Sequence, residues 1–304
     1  MQTSQQRAKS KQVSADRASS TTGTAQKSRD AKETITATRW NATKRRQLAK
    51  FMHAWQQRMG QTYVGTYDGE RSDHYGFVFP KAIKSGQLDG RLVWVNQRIR
   101  FRWSEDGEQS APFQVVEAAT MDNQHGFLTT YFFCLHNQRP VVFVTGTTNG
   151  DDLYVSDSQN SELQAGFAKI VTGKAQTIAS DQDLNADNAA AIAAKPQRIP
   201  RAYQGTWYWY DSQQKVVRKF TAGTSKATHI FDDHAAGIHI EGALKHIGTG
   251  GHERLRYKYY DGQQIPVMEM GDGPHVWYKA NAYRERAVAT NLQTYQFGDE
   301  LHNN

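Results

Sequence analysis

The apolar residues of this chain keep two different spacings, and the change from one to the other limits the folds open to it. In WNATKRRQLAKFMHAWQQRMG, Leu48, Phe51, Met52, Trp55 and Met59 recur at helical intervals, which puts them on one face of an amphipathic α-helix. Asn41 or Thr43 is placed to cap its start and Gly60 to end its last turn. Beyond Gly60 the period becomes two. HYGFVF, RLVWVNQRIRFRWSEDGE, PFQVVEAAT, FLTTYFFCLH and PVVFVTGTTNGDDLYVS read as five or six antiparallel strands, with Asp106-Gly107 and Asn149-Gly150 as hairpin signals. Helical spacing returns in NSELQAGFAKIVTG, where Leu163, Phe167, Ile170 and Val171 share a face. Residues 39–173 therefore predict an α+β domain: helix, antiparallel sheet of five or six strands, helix.

Two shifts of composition set the boundaries. Residues 1–38 are Ser, Thr, Gln, Ala and Lys with almost no large apolar side chain; they bury too little to offset the entropy of ordering and predict a disordered tether. Residues 174–198 are polar and then alanine-rich, closed by Pro196 and Pro200, as suits an interdomain linker. From 199 to 304 short alternating runs such as TWYWYD, KVVRKFTA and RLRYKYYDGQQIPVMEM are broken by glycine turns, Asp261-Gly262 among them. This predicts an all-β C-terminal domain, a small barrel or sandwich. Each domain is expected to fold around its own core.

Charge and motifs narrow the function by exclusion. Of the net charge of +7, residues 1–38 carry 7 basic against 3 acidic residues, whereas 39–173 carry 15 against 13 and 199–304 carry 12 against 11. The folded parts are nearly neutral, which disfavours nucleic acid as a partner. One cysteine, Cys134, excludes an internal disulfide and a paired-cysteine zinc site. No apolar run is long enough for a transmembrane helix. The chain has no GxSxG elbow, no phosphate-cradling GxxxxGK[ST] and no GxGxxG after a strand, so we expect no enzymatic activity, no cofactor and no metal, and a monomer.

Two groups are the candidate ligand-binding residues. Pairing RLVWVNQRIRFRW through an Asn96-Gln97 turn sets Leu92 and Trp94 against Ile99 and Phe101, and leaves Arg91, Arg98, Arg100 and Arg102 on the other face, a stripe suited to an anionic polymer. In TWYWYD, alternation puts Trp207 and Trp209 on one face and Tyr208 and Tyr210 on the other, so one pair enters a core and the second is displayed for stacking. Weaker groupings are Cys134 with His136, two apart on a strand, and His229, Asp232, Asp233, His234 and His239, which lack a recurrent ligand spacing; a buried inert thiol and surface histidines are the expected readings.

WNATKRRQLAKFMHAWQQRMGQTY, DLYVSDSQNSELQAGFAKIVTG and IPRAYQGTWYWYD together resemble the surface lipoproteins of lactic-acid bacteria that carry the uncharacterised domain of unknown function 4767, often followed by a β-rich region opening with GTWY. The resemblance implies an extracellular, cell-surface location, with residues 1–38 as the polar spacer behind a lipidated cysteine. No lipobox cysteine stands in this chain, so either the export signal lies upstream or export has been lost. GTW is also similar to the opening strand of lipocalin-like barrels, in which the tryptophan lies beneath a basic residue; Arg284 or Arg286 would be that residue. The expected function is a non-enzymatic cell-surface protein that binds an envelope polymer, such as teichoic acid, or a partner protein. The alternatives are a cell-wall hydrolase with unidentified catalytic residues and a small-ligand-binding lipocalin-like barrel.

Overall fold

Helix α1 (Ala42–Met59) begins where the Asn41 side chain accepts the Lys44 amide, and stops at Gly60, whose φ of 62° lets its amide reach the Gln56 and Gln57 carbonyls. The computed structural model describes residues 39–121, 127–147, 150–180, 199–223, 227–231, 237–240, 251–272 and 277–297; the expected tether at 1–38 and most of the 174–198 linker lie outside them. After α1 come β1 (Tyr63–Gly65), β2 (Ser72–His74), β3 (Phe77–Phe79), the single turn α2 (Lys81–Lys84), β4 (Leu92–Trp94), β5 (Gln97–Ile99), β6 (Phe101–Trp103), β7 (Phe113–Met121), β8 (Thr130–His136), β9 (Arg139–Thr145), β10 (Leu153–Asp157) and α3 (Ser161–Thr172).

The first sheet has eight strands in the order β1-β7-β8-β9-β10-β4-β5, with β6 also beside β7; β2 and β3 form a separate ribbon. It is larger than the five or six strands expected and not purely antiparallel, since β10 with β4 and β6 with β7 run parallel. A period of two carries no strand direction, so these pairings were not in the pattern. Every residue of β7 and β8 is buried, because both faces are covered. Tyr131, Phe133 and Leu135 pack beneath Leu48, Trp55, Leu163 and Phe167 of the two helices. Their alternates Phe132 and Cys134 meet Phe79, Phe101 and Phe143 on the other face.

The β4–β5 hairpin also departs from expectation. Val95 and Asn96, at φ 48° and 60°, make the turn, so that Leu92 faces Ile99 and Trp94 faces Gln97. Phe101 leaves the hairpin and pairs beside Phe113 instead. A left-handed pair is the turn whose twist suits a two-residue hairpin, and here it is adopted even with valine in the first place.

One buried carboxylate ties α1 to the sheet. Glu117, at a bulge in β7, accepts from Trp40 Nε1 at 3.2 Å, Arg45 Nε at 2.6 Å and Thr66 Oγ1 at 2.6 Å. Burial pushes its carboxyl above the usual range in spite of these donors.

The second sheet is built from β11 (Gly205–Asp211), β12 (Val216–Ala222), β13 (Ala227–Phe231), β14 (Gly237–Ile240), β15 (Gly251–Tyr260), β16 (Gln263–Asp272) and β17 (Trp277–Tyr283), followed by α4 (Arg286–Leu292). It is antiparallel throughout, in the order β12-β11-β17-β16-β15-β14-β13. Among the described residues no strand pairing joins its two edges, β12 and β13, so the expected barrel is not closed. Its outer face is covered, because Tyr260, Val267 and Tyr283, with Leu292 of α4, join the core of the first sheet, where Tyr260 stacks on Trp94 with centroids 5.7 Å apart. Its other face gathers Trp207, Trp209, Leu255, Met268 and Met270 around Ile199 and Tyr203.

Candidate functional site

Strand β8 ends in two unlike polar clusters, and the one at its Thr130 end opens to solvent. There a cavity of about 250 Å³ is lined by His74, Tyr75, Phe77, Arg91, Thr147 and Asp151, with Gly150, Asp152 and Leu153 completing the wall. The β2–β3 turn is Tyr75-Gly76, at φ 49° and 90°, closed by the Gly76 amide donating to Asp73 Oδ1 at 2.7 Å. A tyrosine rarely occupies left-handed backbone; here it turns a large ring out at the cavity, 41% exposed. The His74 ring packs against it in a T-shaped arrangement with centroids 4.9 Å apart, and the phenol accepts the Leu128 amide at 3.0 Å. Arg91 lies 5.2 Å over the Phe77 ring and donates from Nε to the Asp151 carbonyl at 2.6 Å.

His74 itself is buried, and its protonation follows from its partners. Nε2 lies 2.9 Å from the Thr147 carbonyl, which can only accept, so Nε2 carries the hydrogen. Nδ1 then accepts from Thr130 Oγ1 at 2.9 Å, Thr130 accepts from Thr120 at 2.8 Å, and Thr120 accepts from Ser72 at 2.7 Å. A proton on Nδ1 would require the chain to reverse, with Thr130 accepting it and donating on to Thr120. Burial lowers the His74 pKa in the same direction.

The His136 end is closed by the second sheet. The β15–β16 turn, Asp261-Gly262 at φ 53° and 68°, sits against it. Asp261 accepts from His136 Nδ1 at 2.5 Å and pairs with Arg139, while His136 stacks on Phe113 with centroids 4.0 Å apart. The Gly262 amide donates to Asp157 Oδ1 at 3.1 Å and Trp94 Nε1 to Oδ2 at 2.9 Å. Asp157 is wholly buried, and desolvation pushes its carboxyl up to about 7. A Cβ on Gly262 would stand 2.3 Å from the Pro140 carbonyl oxygen, so only glycine allows this approach.

The candidate arginines are brought to one region, but each meets a carboxylate. Arg98 forms a bidentate pair with Asp152 at 2.7 and 3.1 Å; Arg100 and Arg102 share Asp89; Arg91 lies 3.7 Å from the Asp151 carboxylate. Three carboxylates thus offset four guanidinium groups. Of the aromatic run, Trp207 and Trp209 are buried, and Tyr208 and Tyr210 are half-buried. Trp207 donates from Nε1 to the Tyr203 carbonyl at 2.7 Å, and the Arg284 guanidinium lies 3.7 Å over its ring, held by the Gln204 and Ala202 carbonyls. The tryptophan-under-arginine arrangement is therefore present in the second sheet, with Arg284 as the basic residue.

Cys134 is buried, and burial holds its thiol well above its ordinary pKa, which leaves it no thiolate character. The side chains of His229, Asp232, Asp233, His234 and His239 lie outside the described residues. Among the described residues no group of three or more His, Cys, Asp or Glu is placed to hold a metal ion, and no helix is long and apolar enough to cross a membrane.

Sequence reasoning missed His74, Tyr75, Phe77, Asp151 and Asp152. HYGFVF reads as one strand; Gly76 inside it was the signal that it is a hairpin.

Residues 37–171 match the family model described as a domain of unknown function (DUF4767). No curated protein and no solved structure matches the chain.

Proposed function

We propose that this chain is a non-enzymatic binding protein of the cell surface that engages an envelope polymer through the Thr130 end of its first sheet. The observation that carries this reading is the cavity beside Tyr75, whose lining brings together an exposed aromatic ring, a guanidinium and an acidic residue. Loop ends placed by a rigid sheet are where recognition surfaces commonly arise. The carboxylates beside Arg91, Arg98, Arg100 and Arg102 argue for a mixed-charge surface over a dedicated polyanion face.

Co-sedimentation of the full chain with purified Gram-positive wall sacculi, with and without their teichoic acid, tests the reading. Sedimentation with either preparation, weakened by Tyr75→Ala, is expected. A chain that stays in the supernatant with both preparations is not an envelope-polymer binder.

A further inference from the structure

Resting on the reading above, we infer that the cavity binds a neutral sugar ring of that polymer, with Tyr75 as its stacking face and Arg91 and Asp151 as its hydroxyl-binding pair. The charges at the site select the ligand class. Arg91 stands beside Asp151, and Arg98 beside Asp152, so the formal charge around the cavity is balanced. An anionic ligand would meet two carboxylates, and a cationic ligand two guanidinium groups, so neither gains a net attraction at these distances. A polyol uses both: its hydroxyls accept from the guanidinium and donate to the carboxylate, and it brings no charge to be desolvated.

Size and shape agree with that class. At about 250 Å³ the cavity falls just below the range of about 300 to 1,000 Å³ typical of drug-sized ligands, which gives room for one six-membered ring with neighbouring units left outside. The apolar face of a sugar ring needs an aromatic platform, and Tyr75 supplies one that is already oriented. Its backbone is fixed by the Asp73–Gly76 contact, its ring by His74, and its phenol by Leu128. Little side-chain freedom remains to be lost on binding. The Asp151 side chain is fully exposed and Arg91 is anchored to the Asp151 main chain, so the donor and acceptor are held adjacent at the cavity.

The test is calorimetry and saturation-transfer NMR on the full chain with chitotetraose, cellotetraose and maltotetraose as neutral probes, and with poly(glycerol phosphate) and choline as charged ones. At least one neutral oligosaccharide should bind with a Kd below about 1 mM, with little change between about 50 and about 500 mM salt. Tyr75→Ala should weaken it at least about tenfold, and Asp151→Asn, on a fully exposed side chain 3.7 Å from Arg91, about fivefold or more. Tyr154→Ala, an exposed aromatic outside the cavity lining, should leave affinity within about twofold.

Failure of all three neutral probes overturns the proposal, as does binding that survives both cavity variants. Salt-sensitive binding of a charged probe that is lost with Tyr75→Ala also overturns it. If sacculi still sediment the chain while the oligosaccharides fail, the sugar assignment falls and the polymer reading stands. Oligosaccharide binding without sedimentation gives the reverse.

Discussion

The two ends of β8 carry the same kind of chemistry, a buried histidine near carboxylates and aromatic rings, yet they are finished differently. At His136 the chain supplies its own partner: the Asp261-Gly262 turn fills the space and takes the hydrogen bonds. At Thr130 the histidine is satisfied inward by Thr130 and Thr147, while Tyr75, Arg91 and Asp151 line an open cavity. Polar side chains on a strand thus serve cohesion or recognition according to whether another part of the chain returns to cover them.

The sharpest way to break the closed end is Gly262→Ala. Its Cβ would collide with the Pro140 carbonyl and its φ of 68° would be strained, so a loss of about 4 kcal/mol in denaturant unfolding is expected. Retention of wild-type stability would show that the turn is not seated there.

The next largest effect is in pH dependence, where the ends should act in opposite directions. Asp157 has a folded pKa of about 7 against an ordinary value of 3.8, so the folded state holds its proton more tightly. Its contribution is full below about pH 4 and is lost as pH rises toward 7. Relative to Asp157→Asn, wild type should lose on the order of 3 kcal/mol between those limits. His74 is lowered, so the folded state resists its proton, and its contribution is present above the ordinary value of 6.5 and lost as pH falls through the folded value. A flat difference between wild type and Asp157→Asn from pH 4 to 7 would remove the opposition.

At the open end, Thr130→Val takes the donor from His74 Nδ1 and the acceptor from Thr120, and should cost about 2 kcal/mol with the fold retained. The smallest effect is expected for Arg98→Gln, which breaks an exposed ion pair and should leave the unfolding midpoint where it is. A marked fall would mean that the arginines hold the hairpin together.

Local features were legible in the sequence and long-range ones were not. Asn41 and Gly60 marked the ends of α1, Asp261-Gly262 marked its turn, and alternation separated Trp207 and Trp209 from Tyr208 and Tyr210 without deciding which pair is buried, because each of these is set by neighbouring residues. The Val95-Asn96 turn escaped because valine seldom takes left-handed backbone. Nothing in the local sequence singles out Glu117 or Asp157; only the fold brings Trp40 and Trp94 to them. The cavity needed four separate segments, at 74–77, 91, 147 and 150–153, and no spacing rule joins those.

Val267, Tyr283, Ala289 and Leu292 fill the same core as Phe132, Val141 and Leu153. During synthesis the first sheet therefore emerges from the ribosome well before the residues that complete one of its faces. Until the last strand and α4 are released, that face waits uncovered, and a nascent chain at this stage is open to wrong associations. A translational pause or truncation between Asp157 and Val267 would expose the chain to that hazard for longest.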